Sequence, residues 1–120
     1  MAGPCSIHDE KGALEYAERL LALQQKVGDV LFMVDCSHAN SWKKFQGQEM
    51  VWRSVVEQRV GGNDGLVGLM LESHLFEGNQ KFGGDPSQLK YGVSITDECI
   101  SWETTEKLVR WAAQKIAGAV

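Results

Sequence analysis

The chain has 120 residues, 43% of them hydrophobic and 23% charged, with 12 Lys and Arg against 16 Asp and Glu for a formal charge of −4. That composition is globular rather than disordered, and the length suits one domain but not a closed (β/α)₈ barrel, which needs roughly 200 residues or more. The acidic balance (pI ≈ 5.3) argues against non-specific binding to nucleic acid or to an anionic membrane, and no apolar run approaches the roughly 18 residues of a membrane span.

Met1 to Pro4 is at most the end of a strand, followed by a polar turn at Ser6 to Asp9. From Ala13 to Val27, the apolar residues Ala13, Ala17, Leu20, Leu21 and Val27 keep helical spacing, and Gly28-Asp29 ends the helix. Val30 to Val34 is a continuous apolar run, the pattern of a parallel strand covered on both faces. A second amphipathic stretch runs from about Lys44 to Arg59 and stops at Gly61-Gly62. Leu66 to Leu71 reads as another buried strand, and Glu72 to about Ser94 as a long polar loop carrying Gly78, Gly83, Gly84 and Gly92. The last helix covers about Thr104 to Ile116, with Leu108, Val109, Ala112 and Ile116 on one face. The sum is an α/β chain of three βα units, which implies a parallel sheet with right-handed crossovers.

Cys5, Cys36 and Cys99 are odd in number and far apart. They point to free thiols in a reducing compartment rather than to a disulfide framework. The N-terminus has no signal-peptide pattern, and the expected location is cytoplasmic.

In parallel α/β sheets, function gathers at the carboxyl ends of the strands. Cys5 follows the first strand, His38 the second, Glu72 closes the third, and Asp97 lies in the loop entering the last helix. This S, N, O, O set suits a borderline divalent ion such as Mn, Fe, Co or Zn better than Mg or Ca. Each residue also has a structural alternative. Cys5 can be a small buried residue, His38 a hydrogen-bonded loop histidine, Glu72 a solvated strand end and Asp97 a helix N-cap. His8 and His74 compete for the same role, and spacing alone does not rank the three histidines.

Four blocks carry a resemblance. They are Gly3-Pro4-Cys5-Ser6-Ile7-His8-Asp9, Asp35-Cys36-Ser37-His38-Ala39-Asn40-Ser41, Leu71-Glu72-Ser73-His74-Leu75-Phe76 and Tyr91-Gly92-Val93-Ser94-Ile95-Thr96-Asp97. Together they resemble the class I 3-deoxy-D-arabino-heptulosonate 7-phosphate (DAHP) synthases of the shikimate pathway, transferases that serve aromatic amino acid biosynthesis. The resemblance implies a wedge of a metal-dependent (β/α)₈ barrel that condenses phosphoenolpyruvate with erythrose 4-phosphate. It further implies Cys5, His38, Glu72 and Asp97 as the ligands of a divalent metal.

The resemblance is discontinuous within a single domain spanning 1–120. Residues 1–28 resemble barrel unit one and residues 30–120 units seven and eight, so five units are missing between them. Those units carry the family's phosphate-binding Arg and Lys residues, whereas Arg19, Arg53, Arg59 and Arg110 here all fall in predicted helices. Cys36, Trp42 and Val93 stand where the resemblance leads one to expect Phe, a small residue and Lys. The expectation is therefore a synthase-like chain without synthase activity, or else a non-catalytic metal-binding or synthase-associating fragment. Handedness favours the strand order 1-7-8 over 7-8-1. Open sheet edges in either order predict self-association or association with a full-length synthase.

Overall fold

Two parallel strands organise the chain, β1 (Phe32–Asp35) and β2 (Leu66–Met70). The computed structural model describes residues 31–118 and, ahead of them, Glu15, Glu18, Arg19, Ala22, Leu23 and Lys26. Those six positions are helical and exposed, in keeping with the helix read over Ala13 to Val27. The strand end expected at Met1 to Pro4, together with Cys5, His8 and the stop at Gly28-Asp29, lies outside the described residues. The choice between strand orders lies outside them too.

β1 and β2 are joined by helix α1 (Phe45–Val60), and β2 leads through a long loop to helix α2 (Trp102–Ala117). Short 3₁₀ turns occupy Ala39–Ser41 and Pro86–Gln88. α1 ends where the sequence punctuates it: Gly61 caps the helix and Gly62 takes φ +102°, a left-handed value that glycine adopts without steric cost. α2 starts two residues before the expected Thr104. Its N-cap is Ser101, whose hydroxyl accepts from the Thr104 amide at 3.3 Å.

The core lies between the helices and one face of the sheet. Trp52 and Val56 of α1 meet Leu108 and Ala112 of α2, with Cys36, Ile100 and the strand residue Leu69 against them. Trp52 also donates its indole N–H to the Leu108 carbonyl at 3.1 Å, so its one polar atom is satisfied where it is buried. At the helix surface, Glu49 pairs with Arg53 at 2.7 Å and with Lys107 at 3.7 Å. The Arg53 guanidinium in turn stacks on Trp111, 4.4 Å from the ring centre.

The strands depart from expectation in one respect: among the described residues they are covered on one face only. Leu69 faces the helices, while Met33 and Met70 point the other way and are 50% and 40% exposed. Val109 and Ile116, expected on the buried side of α2, are also about half exposed. They line a groove of about 490 Å³ whose walls include Trp52, Arg59, Val67 and Ala113. The continuous apolar strands carry the pattern of two-sided burial, but a two-stranded sheet with helices on one side provides half of it.

Because Leu108 is fully buried, Leu108→Ala is expected to cost about 2–5 kcal/mol. Trp52→Phe keeps most of the packing and loses one hydrogen bond, so about 1 kcal/mol is expected. Urea unfolding followed by circular dichroism measures both.

Candidate functional site at the carboxyl ends of the strands

The segment after β1 is built by short-range hydrogen bonds. Asp35, the last strand residue, accepts through one carboxylate oxygen from the Ser37 amide at 2.9 Å and the Ser37 hydroxyl at 2.8 Å. This is the Asx-turn pattern expected of Asp two residues before the donor. The other oxygen lies 2.7 Å from Nδ1 of His38. Asn40 donates its side-chain amide to the Asp35 carbonyl at 2.7 Å. The Ser41 hydroxyl donates to the His38 carbonyl at 2.9 Å, while Trp42 and Lys43 turn the chain with φ +55° and +56°.

Gly47 in the first turns of α1 lets this segment dock. A Cβ there would meet the Cα of Ser41 at 2.8 Å and its carbonyl carbon at 2.9 Å, inside the closest approach that backbone tolerates. Ser41 itself is fully buried.

The segment after β2 is held from α1. Gln48 is fully buried, and its Oε1 accepts from the Glu72 amide at 2.8 Å. Its Nε2 donates to the carbonyls of Glu72 at 3.1 Å and Glu98 at 3.4 Å. One side chain thus ties α1 to the end of β2 and to the loop before α2. The Ile100 amide donates to the Glu72 carbonyl as well, at 2.9 Å, and the Gly78 and Cys99 backbones exchange hydrogen bonds at 2.8 and 3.1 Å. At the rim, Lys44 pairs with Glu98 at 2.7 Å. That ammonium, donating to the Glu98 carboxylate, holds it below its ordinary range.

The expected site residues are divided between these two segments. His38 sits against Asp35, with its ring exposed. Glu72 is half-buried and Asp97 exposed. Burial raises the Cys99 thiol above its ordinary range. Hydrogen bonding with Ser94 works against this rise, and the charges of Glu72 and Asp97 add to it; the Cys99 thiol lies 3.6 Å from the Asp97 backbone carbonyl. Cys5 lies outside the described residues. Among the described residues no three His, Cys, Asp or Glu side chains gather as a group able to hold a metal ion. His38, Glu72 and Asp97 are therefore not brought together as one set, although their donor types suit a borderline divalent ion.

One alternative is decided. Asp97 is not the N-cap of α2, since Ser101 is. His74 turns back on its own chain, its Nδ1 accepting from the Leu75 amide at 2.8 Å. Asp35, Gln48 and Glu98 were missed by ligand spacing. For Asp35 the Asp-x-Ser spacing was a visible signal; for Gln48, a polar residue on the apolar side of an amphipathic helix was the only one.

The comparisons agree with the resemblance. A sequence model of the DAHP synthetase I family matches residues 25–110. The chain belongs to that family. It is 51% identical over 86 residues to the Tyr-sensitive phospho-2-dehydro-3-deoxyheptonate aldolase of Escherichia coli K12, covering 72% of this chain and 24% of that protein. To the Tyr-sensitive aldolase of Enterobacter agglomerans it is 49% identical over 88 residues, covering 73% of this chain and 41% of the relative. The phospho-2-dehydro-3-deoxyheptonate aldolase of Francisella tularensis superposes with a TM-score of 0.76 at 33% identity, over 88% of this chain and 30% of that one. The α/β wedge with parallel strands is thus a part of that fold. Because the chain spans well under half the length of these relatives, their activity does not pass to it directly.

Two outcomes are expected. Gln48→Leu leaves the Glu72 amide without its side-chain partner, at about 1–3 kcal/mol, while the Glu72 carbonyl keeps the Ile100 amide. Urea denaturation should show that loss, and hydrogen exchange should show faster exchange of the Glu72 amide. The second outcome concerns Cys36, whose thiol is pushed up from 9.0 to about 12, chiefly by burial and then by the charge of Asp35. The folded state holds that proton more tightly than the unfolded state. This contribution to stability is whole below pH 9 and is lost as pH rises from about 9 to about 12. Iodoacetamide at pH 8 with peptide mapping should leave Cys36 unlabelled until denaturant is added.

Proposed function

We propose that this 120-residue chain is a DAHP synthase-derived wedge that does not catalyse the family condensation by itself. The observation that supports the reading is the engagement of its arginines. Arg19 pairs with Glu15, Arg53 with Glu49, Arg59 with Asp64 and Arg110 with Glu106. All four stand on helices with a carboxylate of the same helix or its adjoining turn. Two sugar or enol phosphates need several charge-assisted donors converging from different elements. Lys44, at the start of α1, is taken up by Glu98.

Cys5, His38, Glu72 and Asp97 are read as the family's metal ligands carried in this chain, for a divalent ion of the Mn, Fe, Co or Zn kind. Supporting this are the positions of His38 and Glu72 within three residues of a strand end, and the donor types of the set. Phosphoenolpyruvate and erythrose 4-phosphate are then the substrates of the whole family enzyme rather than of this chain. The half-covered sheet and the groove beside Val109 and Ile116 support association with a second copy or with a full-length synthase. The free thiols of Cys36 and Cys99 are consistent with a cytoplasmic setting. No helix among the described residues is long and apolar enough to cross a membrane.

Incubation with phosphoenolpyruvate, erythrose 4-phosphate and Mn²⁺ should give no phosphoenolpyruvate consumption above background. Consumption that needs both the aldose phosphate and the ion overturns the reading. Sedimentation velocity over a hundredfold concentration range should show mass increasing with concentration, and a monomer throughout argues against association.

A further inference from the structure

The turn from α1 into β2 holds the only Asp-Gly pair in the 120 residues, Asp64-Gly65, and the chain has no Asn-Gly. The amide nitrogen that follows an aspartate can reach its side-chain carboxyl carbon, and a glycine there, having no Cβ, leaves the approach open. After Gly61 and Gly62 end the helix, Asn63 to Leu66 form a β-turn, closed by the Leu66 amide on the Asn63 carbonyl at 3.2 Å. Asp64 and Gly65 are its two central residues. Such a turn uses the amide of its fourth residue, and the Gly65 amide makes no hydrogen bond among the described residues. The Asp64 side chain is 87% exposed, and the partner of its carboxylate is the Arg59 guanidinium. A surface pair of this kind holds its members weakly. Comparable side chains are committed elsewhere. Asn40 donates its side-chain amide to the Asp35 carbonyl, Asn79 donates to the Thr96 carbonyl, and Asp85 precedes Pro86, which has no amide proton.

We propose that Asp64 is a modification site: in the folded chain it isomerises to isoaspartate through a succinimide with Gly65, which makes it a substrate for isoaspartate carboxyl methylation and loosens the tie between β2 and β1. In the first step the Gly65 nitrogen attacks the Asp64 side-chain carboxyl carbon. A C–N bond forms, the amide proton and the carboxyl hydroxyl leave as water, and a five-membered ring closes. Water then opens the ring. Cleavage beside the side-chain carbonyl restores aspartate, and cleavage beside the backbone carbonyl routes the main chain through the side-chain methylene. One water leaves and one returns, so no oxidant, reductant or cofactor is needed. The added backbone atom lies next to Gly65, whose carbonyl accepts from the Phe32 amide of β1 at 2.6 Å.

The test incubates the protein near neutral pH at body temperature, folded and in guanidinium chloride. Methyl transfer from S-adenosylmethionine by an isoaspartate-specific carboxyl methyltransferase measures the product, and electron-transfer fragmentation of its peptides locates it. In the folded wild type, methyl incorporation is expected to rise with time and to map to Asp64. It is expected to be lost in Asp64→Glu, where closure would need a six-membered ring, and to fall sharply in Gly65→Ala, where a methyl group obstructs the attack. Exchange of the Phe32 amide should quicken as the isomer accumulates. No isoaspartate at Asp64, or isoaspartate formed only in guanidinium chloride, overturns the proposal. Undiminished incorporation in Gly65→Ala overturns it too, because the glycine amide then does not select the site. Phe32 exchange that stays constant while the isomer accumulates overturns the coupling to β1.

Discussion

A single buried amide carries the connection between the helices and the strand ends. Gln48 has no exposed surface, yet each of its polar atoms is bonded, to the amide and the carbonyl of Glu72 and to the Glu98 carbonyl. A polar group buried this way stabilises only while every partner stays in place. The consequence is geometric: the end of β2, the loop before α2 and the first turns of α1 cannot move independently. Gly47, next in sequence, brings the segment after β1 into the same junction by letting Ser41 sit against the helix backbone. Both segments that follow strands are thus referred to the start of one helix.

That junction explains why so small a sheet keeps an ordered rim. Two strands give few ladder hydrogen bonds, and their exposed methionine face contributes little burial. The contacts that do the holding come instead from the helix side: Trp52 across to Leu108, Arg53 between Glu49 and Trp111, and Cys36 and Ile100 beneath. The open methionine face and the groove along α2 are apolar surface that the described residues leave uncovered.

The elements themselves were legible because each rests on local chemistry. The apolar run at 30–34 and the glycine pair at 61–62 set a strand and a helix end within one or two residues of those observed. The one-sided cover of the strands was not legible, since an apolar run reports the burial a strand suits and not what surrounds it. His38 and Glu72 were singled out by their position after strands, and the structure places both just past strand ends. Gln48 was missed because a glutamine in an amphipathic helix normally faces water, and only tertiary partners 24 and 50 residues away make it a core residue.

The same division between local and distant causes separates the site residues. Asp35, Ser37 and His38 organise one another within four positions of sequence, so their geometry needs little beyond the end of β1 and the docking of Ser41. Glu72 depends on Gln48 for its backbone, and its carboxylate has no partner comparable to Asp35 among the described residues. Asp97 is exposed, and its backbone carbonyl lies 3.6 Å from the Cys99 thiol. The described residues therefore hold His38 against Asp35 by local contacts, while Glu72 and Asp97 are not gathered with it. Convergence of side chains from different segments is a tertiary property, and orientation of one by its sequence neighbours is local. That is why the described residues contain the second without the first.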